Sequence, residues 1–194
     1  GTCGNESVLT SGSGDDERVP VCANGADGDL LAEICRQAGV PVTVYAEPYG
    51  TPVDAQRIAA HLAADPSITH VAMVHNETTS GLVNDIEAAG AVAKRAGAAF
   101  IVDAMSSFGG VDIPAEELGI DFIISSANKC IQGVPGFSFI ICRRDCLAAC
   151  EGKAKSLSLD LYDQWKTMEK DGKWRFTSPT HVVLAFAQAM REME

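Results

Sequence analysis

AAFIVDAMSS (98–107) and DFIISSANKC (121–130) follow one plan: an apolar run long enough for a single strand, then polar and small hydroxyl side chains at its end. Runs apolar on both faces read as strands of a sheet that is covered on both sides, since a half-buried strand would alternate with period two. Four further runs share the character: VPVCA (19–23), VPVTVYA (40–46), HVAMVH (70–75) and FSFIIC (137–142). Helical periodicity lies between them at 29–38, 54–64 and 83–96, with a short turn near 114–118. Apolar strands alternating with helices imply a three-layer α/β/α domain around a mostly parallel sheet. The last quarter, 143–194, holds no strand signal and ends in the helix candidate HVVLAFAQAMREME after Ser178-Pro179-Thr180.

The 194 residues, 46% hydrophobic and 6% aromatic, suffice for one sizeable core, so residues 1–194 read as a single domain. Fifteen basic against 26 acidic side chains leave a net charge of -11. That charge argues against nucleic acid and anionic membrane surfaces and favours small-molecule or protein partners. No apolar run approaches the roughly 20 residues that span a bilayer, and GTCGNESVLTSGSGDDE has no basic start or apolar signal core, so a cytoplasmic location is expected. Seven cysteines, an odd and scattered set, read as reduced thiols; Cys146 and Cys150 share a helical face in CLAAC, but no zinc spacing accompanies them and no metal is expected.

Ligands of open α/β sheets bind beyond the carboxyl ends of the strands. There the chain places Asn76-Glu77-Thr78-Thr79-Ser80-Gly81, then Asp103-Ala104-Met105-Ser106-Ser107, then Asn128-Lys129. A lysine in that position is either a solvated charge or an amine with a chemical task. Dehydration in a crevice would lower its pKa and leave a neutral amine able to form a Schiff base with an aldehyde. Asp103 has no basic neighbour in sequence, and a buried carboxylate needs a cation, for which a protonated pyridine nitrogen would serve. Amine and carboxylate are the two groups that pyridoxal phosphate asks of its protein.

VDAMSSFGG (102–110) and GIDFIISSANKCIQGVPGFSFII (119–141) resemble the cofactor region of class V aminotransferases of the type I pyridoxal-phosphate fold. HNETTSG (75–81), SSANKCIQGVPG (125–136), SLSLDLYDQW (156–165) and KWRFTSPTHVVLAFAQA (173–189) are similar to the branch that moves an amino group from 2-aminoethylphosphonate to pyruvate. The resemblance, nearly unbroken from about residue 66 to residue 190, implies the large domain of such an enzyme, with pyridoxal 5'-phosphate as cofactor. It implies Lys129 as Schiff-base lysine and proton carrier and Asp103 as partner of the pyridine nitrogen. It further implies Thr78 on the ring's phenolic oxygen, Met105 on one ring face and Asn128 towards the phosphate. Thr177 matches a threonine that reaches the phosphate of a neighbouring subunit, so a homodimer is implied. The plain readings of the same residues are a helix cap for Thr78, core filling for Met105 and a turn for Asn128. Arg175 is a candidate anchor for a substrate anion, with a solvated or interface arginine as the alternative.

Residues 1–30 diverge from the family pattern. Ser7 to Gly14 resembles the strand and glycine-rich turn that bind the phosphate, which would make Ser13 and Gly14 cofactor ligands. The long helix expected next is replaced by Asp15-Asp16-Glu17 and an immediate strand, so an internal deletion near residues 14–18 is expected, with Asp15 set against the phosphate. Asp27 stands where an aromatic would stack on the ring. The segments before residue 1 and the small domain after Glu194, a truncation point on this reading, are expected to be absent. Two other outcomes stay open: a non-catalytic remnant that dimerises through the old interface, and a class V enzyme with another amino donor, such as an alanine–glyoxylate aminotransferase.

Overall fold

Six strands form one sheet, and every one of them is a run named above. The computed structural model of the chain describes residues 1–14 and 17–193. Along it run α1 (Thr2–Gly12), β1 (Val19–Ala23), α2 (Ala26–Gln37), β2 (Val42–Ala46), α3 (Ala55–Ala64) and β3 (His70–Val74). A two-stranded pair, β4 (Asn76–Glu77) and β5 (Leu82–Val83), precedes α4 (Ile86–Ala96), β6 (Ala99–Asp103), β7 (Phe122–Ser126) and β8 (Ser138–Cys142). Three helices close the chain: α5 (Arg144–Ala148), α6 (Leu161–Asp171) and α7 (Thr180–Glu192). The main sheet has the order β2-β1-β3-β6-β7-β8, parallel throughout except where β8 runs against β7. Among the described residues no helix is long and apolar enough to cross a membrane.

Strand side chains divide between two faces, as a period of two requires. Cys22, Met73, Val102 and Ile123 pack with Ile58 and Leu62 of α3 and with Ala89, Val92 and Ala93 of α4. On the other face Val21, Ala72, Val74, Ile101, Phe122 and Ile124 pack with Val8 and Leu9 of α1 and with Leu31, Ala32, Ile34 and Cys35 of α2. Burial on both faces explains why β1 is apolar without interruption, and why β3 after His70 and β7 before Ser125 are apolar too. Helix starts follow local capping where a side chain supplies it: Asp54 accepts from Gln56 N at 2.8 Å and Asp85 from Ala88 N at 2.9 Å. α4 stops at Gly97, whose φ of 72° suits glycine.

α1 overturns the reading of residues 7–14 as a strand and glycine-rich turn. The helix expected to be missing is present ahead of β1, and it begins at Thr2. Apart from Val8 and Leu9 its residues are small or polar, and it is buried on nearly every side, including Gly4, Asn5, Ser7, Thr10, Ser11 and Gly12, so no apolar stripe marks it. The small residues have a packing reason: a Cβ on Gly4 would stand 2.8 Å from Ser138 Cβ and 3.0 Å from Ile124 Cγ2. Ser7 Oγ donates to Leu159 O at 2.7 Å, tying α1 to the segment before α6. The charge expected from Asp15, the deletion site around it and the truncation at Glu194 lie outside the described residues.

Candidate functional site

Parallel pairing places three strand ends side by side: Val74 opposite Asp103, and Asp103 opposite Ile124. Beyond them opens a cavity of about 250 Å³. Gly1 with Thr2 and Asn5 of α1 forms one wall, Asp27 and Leu30 of α2 another, and Val74, Asn76, Thr78, Asp103, Met105, Ser106, Ser126, Asn128 and Lys129 the rest. Lys129 and Asp103 thus share one cavity, as the residue types at the strand ends lead one to expect.

Asp103 is 6% exposed. Its Oδ1 accepts from Met105 N at 2.9 Å and its Oδ2 from Asn5 Nδ2 at 2.7 Å. Burial pushes its pKa up; the two donors pull it down, and the nearby carboxylates of Asp27 and Glu77 push it up further. Among the described residues no cation pairs with it, so an ionised Asp103 lacks a counter-charge. Two amide oxygens in the same walls, Asn5 Oδ1 and Asn76 Oδ1, are buried without a donor. This end of the cavity therefore calls for N–H groups and positive charge.

The opposite requirement holds at the start of α1. No side chain caps it, its first turn carries no acidic residue, and its first backbone bond, Gly4 N to Gly1 O at 2.7 Å, leaves the amides of Thr2 and Cys3 ahead of it. Free amides and the positive end of a helix dipole attract an anion. A Cβ on Gly1 would meet Met105 Sδ at 2.4 Å, so a side chain there would displace the end of Met105.

Lys129 stands on a turn after β7 closed by Gln132 N to Lys129 O and Gly133 N to Ala127 O, each 2.8 Å. Gly133 permits that closure, since a Cβ there would lie 2.6 Å from Ala127 O. The lysine side chain lines the cavity yet is exposed, so the dehydration expected of it does not occur. Thr78 is exposed, with Oγ1 2.8 Å from Ser106 Oγ, and its N donates to Asp27 Oδ2 at 3.0 Å. Glu77, fully buried, accepts from Asp27 N at 3.1 Å and Gly28 N at 3.2 Å, which starts α2 three residues earlier than its periodicity suggests.

Ser13 and Gly14 are not part of this cavity. They follow the C-terminal end of α1, a helix of 11 residues and so roughly 16 Å from the walls its first turn forms. Thr177 is exposed ahead of α7 and does not line the cavity; Arg175 donates to Leu157 O at 2.6 Å and Asp163 Oδ2 at 3.1 Å. Gly1, Thr2 and Asn5 join the site without a signal in the sequence that singles them out, and a helix start at Thr2 would have been the clue; Asn76 and Ser106 lie in the strand-end stretches named above, with no role assigned to them there. A larger cavity of about 660 Å³ lies at the other end of β6 and β7, but its buried carboxylate, Asp121, already accepts from Phe100 N, Arg143 and Cys146.

The family model for class V aminotransferases matches residues 7–194. The chain belongs to the class V aminotransferases. It is similar to the 2-aminoethylphosphonate–pyruvate transaminase of Lysinibacillus sphaericus, 52% identical over 188 residues that cover 97% of this chain and 51% of that one. The enzyme of that name from Salmonella paratyphi B is 54% identical over 189 residues, 97% of this chain and 52% of that one. The chain spans about half the length of the curated relatives it matches. Among solved structures, alanine–glyoxylate aminotransferase from Nostoc superposes with a TM-score of 0.91 at 22% identity, over 99% of this chain and 52% of that one, which shows the shared fold of this class V domain.

Proposed function

We propose that the chain is the cofactor-binding portion of a pyridoxal-phosphate aminotransferase that moves the amino group of 2-aminoethylphosphonate to pyruvate, giving phosphonoacetaldehyde and L-alanine. The observation that carries the proposal is one cavity with an amine, a buried unpaired carboxylate and an uncapped helix N-terminus on its walls. Pyridoxal phosphate fits that set: a dianion for α1, a ring nitrogen for Asp103 and an aldehyde for Lys129. When bound, it supplies a carbonyl that takes up the amino group and a ring that withdraws electrons from the substrate carbon.

The residues then divide the work. The Thr2 and Cys3 amides would hold the phosphate, with Asn128 beside the same cavity to assist. Asp103 would keep a proton on the ring nitrogen, because a carboxylate short of a counter-charge is most stable beside a cation. Lys129 Nζ would condense with the aldehyde, losing water, and once displaced by the substrate amine would move a proton at the substrate carbon. Thr78 Oγ1, which now bonds Ser106, would donate to the ring hydroxyl oxygen. Met105 would wall one side of the ring. Asp27, where stacking would otherwise occur, adds negative charge near Asp103 and so favours the protonated ring. Thr177 is assigned to the phosphate of a second subunit in a homodimer. The relatives that carry the phosphonate transaminase name support the choice of donor and acceptor.

The test loads the chain with pyridoxal phosphate and follows visible absorbance while 2-aminoethylphosphonate, alanine or serine is supplied separately. Loss of the band with the first two and not with serine is expected, since alanine is the product amine of the reverse direction. A response to serine alone rejects the substrate assignment.

A further inference from the structure

Asn5 is 2% exposed in the early turns of α1, and its Nδ2 lies 2.7 Å from Asp103 Oδ2, a contact between residues 98 apart in the chain. Met105 N holds the other oxygen at 2.9 Å. The carboxylate is thereby gripped on both oxygens, once by its own strand end and once by α1. Asn5 lines the cavity, and its Oδ1 is buried and has no donor. Buried core amides are satisfied at both ends, and an aliphatic side chain of similar size would fill this space without any polar cost. An amide whose nitrogen serves Asp103 while its buried oxygen has no donor is placed here for the contact with Asp103.

We propose that Asn5 is a positioning residue for Asp103: its amide N–H holds the carboxylate ionised and fixes its orientation for a protonated ring nitrogen. The proposal rests on the pyridoxal-phosphate reading above. Two carboxylates press a proton onto Asp103, Asp27 from α2 and Glu77 from β4, while Lys129 stands in the same cavity on the turn after β7. A donor to the ionised form is the counterweight to those neighbours and to burial. Asn5 also sits four residues from Gly1, about 6 Å along the helix axis. One rigid helix therefore spaces the anion-binding amides from the carboxylate, so the two ends of a bound ligand are held in register.

The probe is pyridoxine 5'-phosphate, which has the ring and phosphate but no aldehyde and so reports binding without Lys129. Its affinity is measured from acid to alkaline pH for the wild-type chain, Asn5→Leu and Asn5→Ala, with circular dichroism confirming helix content. Loss of one hydrogen bond to a charged group is expected to weaken binding about 10- to 100-fold. The acid limb of the affinity profile should move up by about one pH unit, because an Asp103 without its donor keeps its proton longer. If Asn5→Leu fails to fold, Asn5→Ala decides. Variants with wild-type affinity, or with a uniform loss and an unmoved acid limb, overturn the positioning role. A wild-type chain that binds neither this probe nor pyridoxal phosphate overturns the cofactor reading and the role together, a result distinct from equal binding by all three chains.

Discussion

Glu77 offers the sharpest stability test of the site's architecture. Its carboxylate is fully buried and accepts from Asp27 N at 3.1 Å, Gly28 N at 3.2 Å and Thr79 Oγ1 at 2.9 Å. In Glu77→Ala two amides at the start of α2 lose their acceptor, each at about 1–3 kcal/mol, and the helix loses a favourable anion worth about 0.3–1 kcal/mol or more. The exposed Thr79 hydroxyl finds water, so it adds little. The sum is about 2–7 kcal/mol, and at about 2–4 °C per kcal/mol for a domain of this size Tm should fall by roughly 10–15 °C at the middle of that range. Glu77→Gln keeps one acceptor oxygen and gives up the charge, so it should cost about 1–2 kcal/mol. Denaturant unfolding with an unchanged m-value is the assay. Glu77→Ala within about 0.5 kcal/mol of wild type would refute the capping argument, because surface substitutions of no structural consequence fall in that range. Glu77→Gln as costly as Glu77→Ala would show that charge alone, and not the acceptors, is what α2 needs.

The other expectations concern the same neighbourhood and the sheet beneath it. Gly25→Ala places a Cβ 2.2 Å from Glu77 Cδ, so it should cost about 1–3 kcal/mol in the same denaturant assay, and an unchanged midpoint would contradict the close approach. Asp103→Asn should raise the Tm of the cofactor-free chain and abolish tight pyridoxal-phosphate binding. The sign follows from burial: the folded carboxyl has a raised pKa, so its ionised form costs stability at neutral pH, and the amide avoids that cost. Burial lowers the pKa of His70, against an opposing pull from Glu17. The unfolded imidazole then takes up a proton that the folded one resists, so stability is present above the unfolded pKa of about 6.5 and lost as pH falls through it. Tm should decline between about pH 7.5 and pH 5.5, less steeply in His70→Gln; an identical slope in the two chains would exclude His70 as its source.

What could be read in advance depended on the range of the interactions involved. β6 and β7 were legible because burial on both faces makes residues 99–102 and 122–124 apolar throughout, and Asp103 and Lys129 stood out as the charged residues that follow. α1 was not legible. Its side chains are buried against α2, β7, β8 and α6, so a small residue or a hydroxyl serves at positions where a surface helix would show leucine. Reading its last turn as a phosphate loop put Ser13 and Gly14 at the end of the helix away from the cavity, whereas Gly1 and Thr2 line it. The start of α2 was misplaced for a different reason: its cap is Glu77, 49 residues beyond Gly28, and no local signal reports it. Asn5 shares that difficulty, since its importance arises only when β6 places Asp103 beside it.

The central claim is that Lys129 and Asp103 face one ligand, and trapping that ligand covalently tests it most directly. The chain is incubated with pyridoxal phosphate, reduced with borohydride, digested and mapped by mass spectrometry. The account expects one cofactor equivalent on the peptide that carries Lys129, no label in Lys129→Ala and a much reduced yield in Asp103→Ala. Label spread evenly over other lysines, or a Lys129 yield indifferent to Asp103, would contradict it.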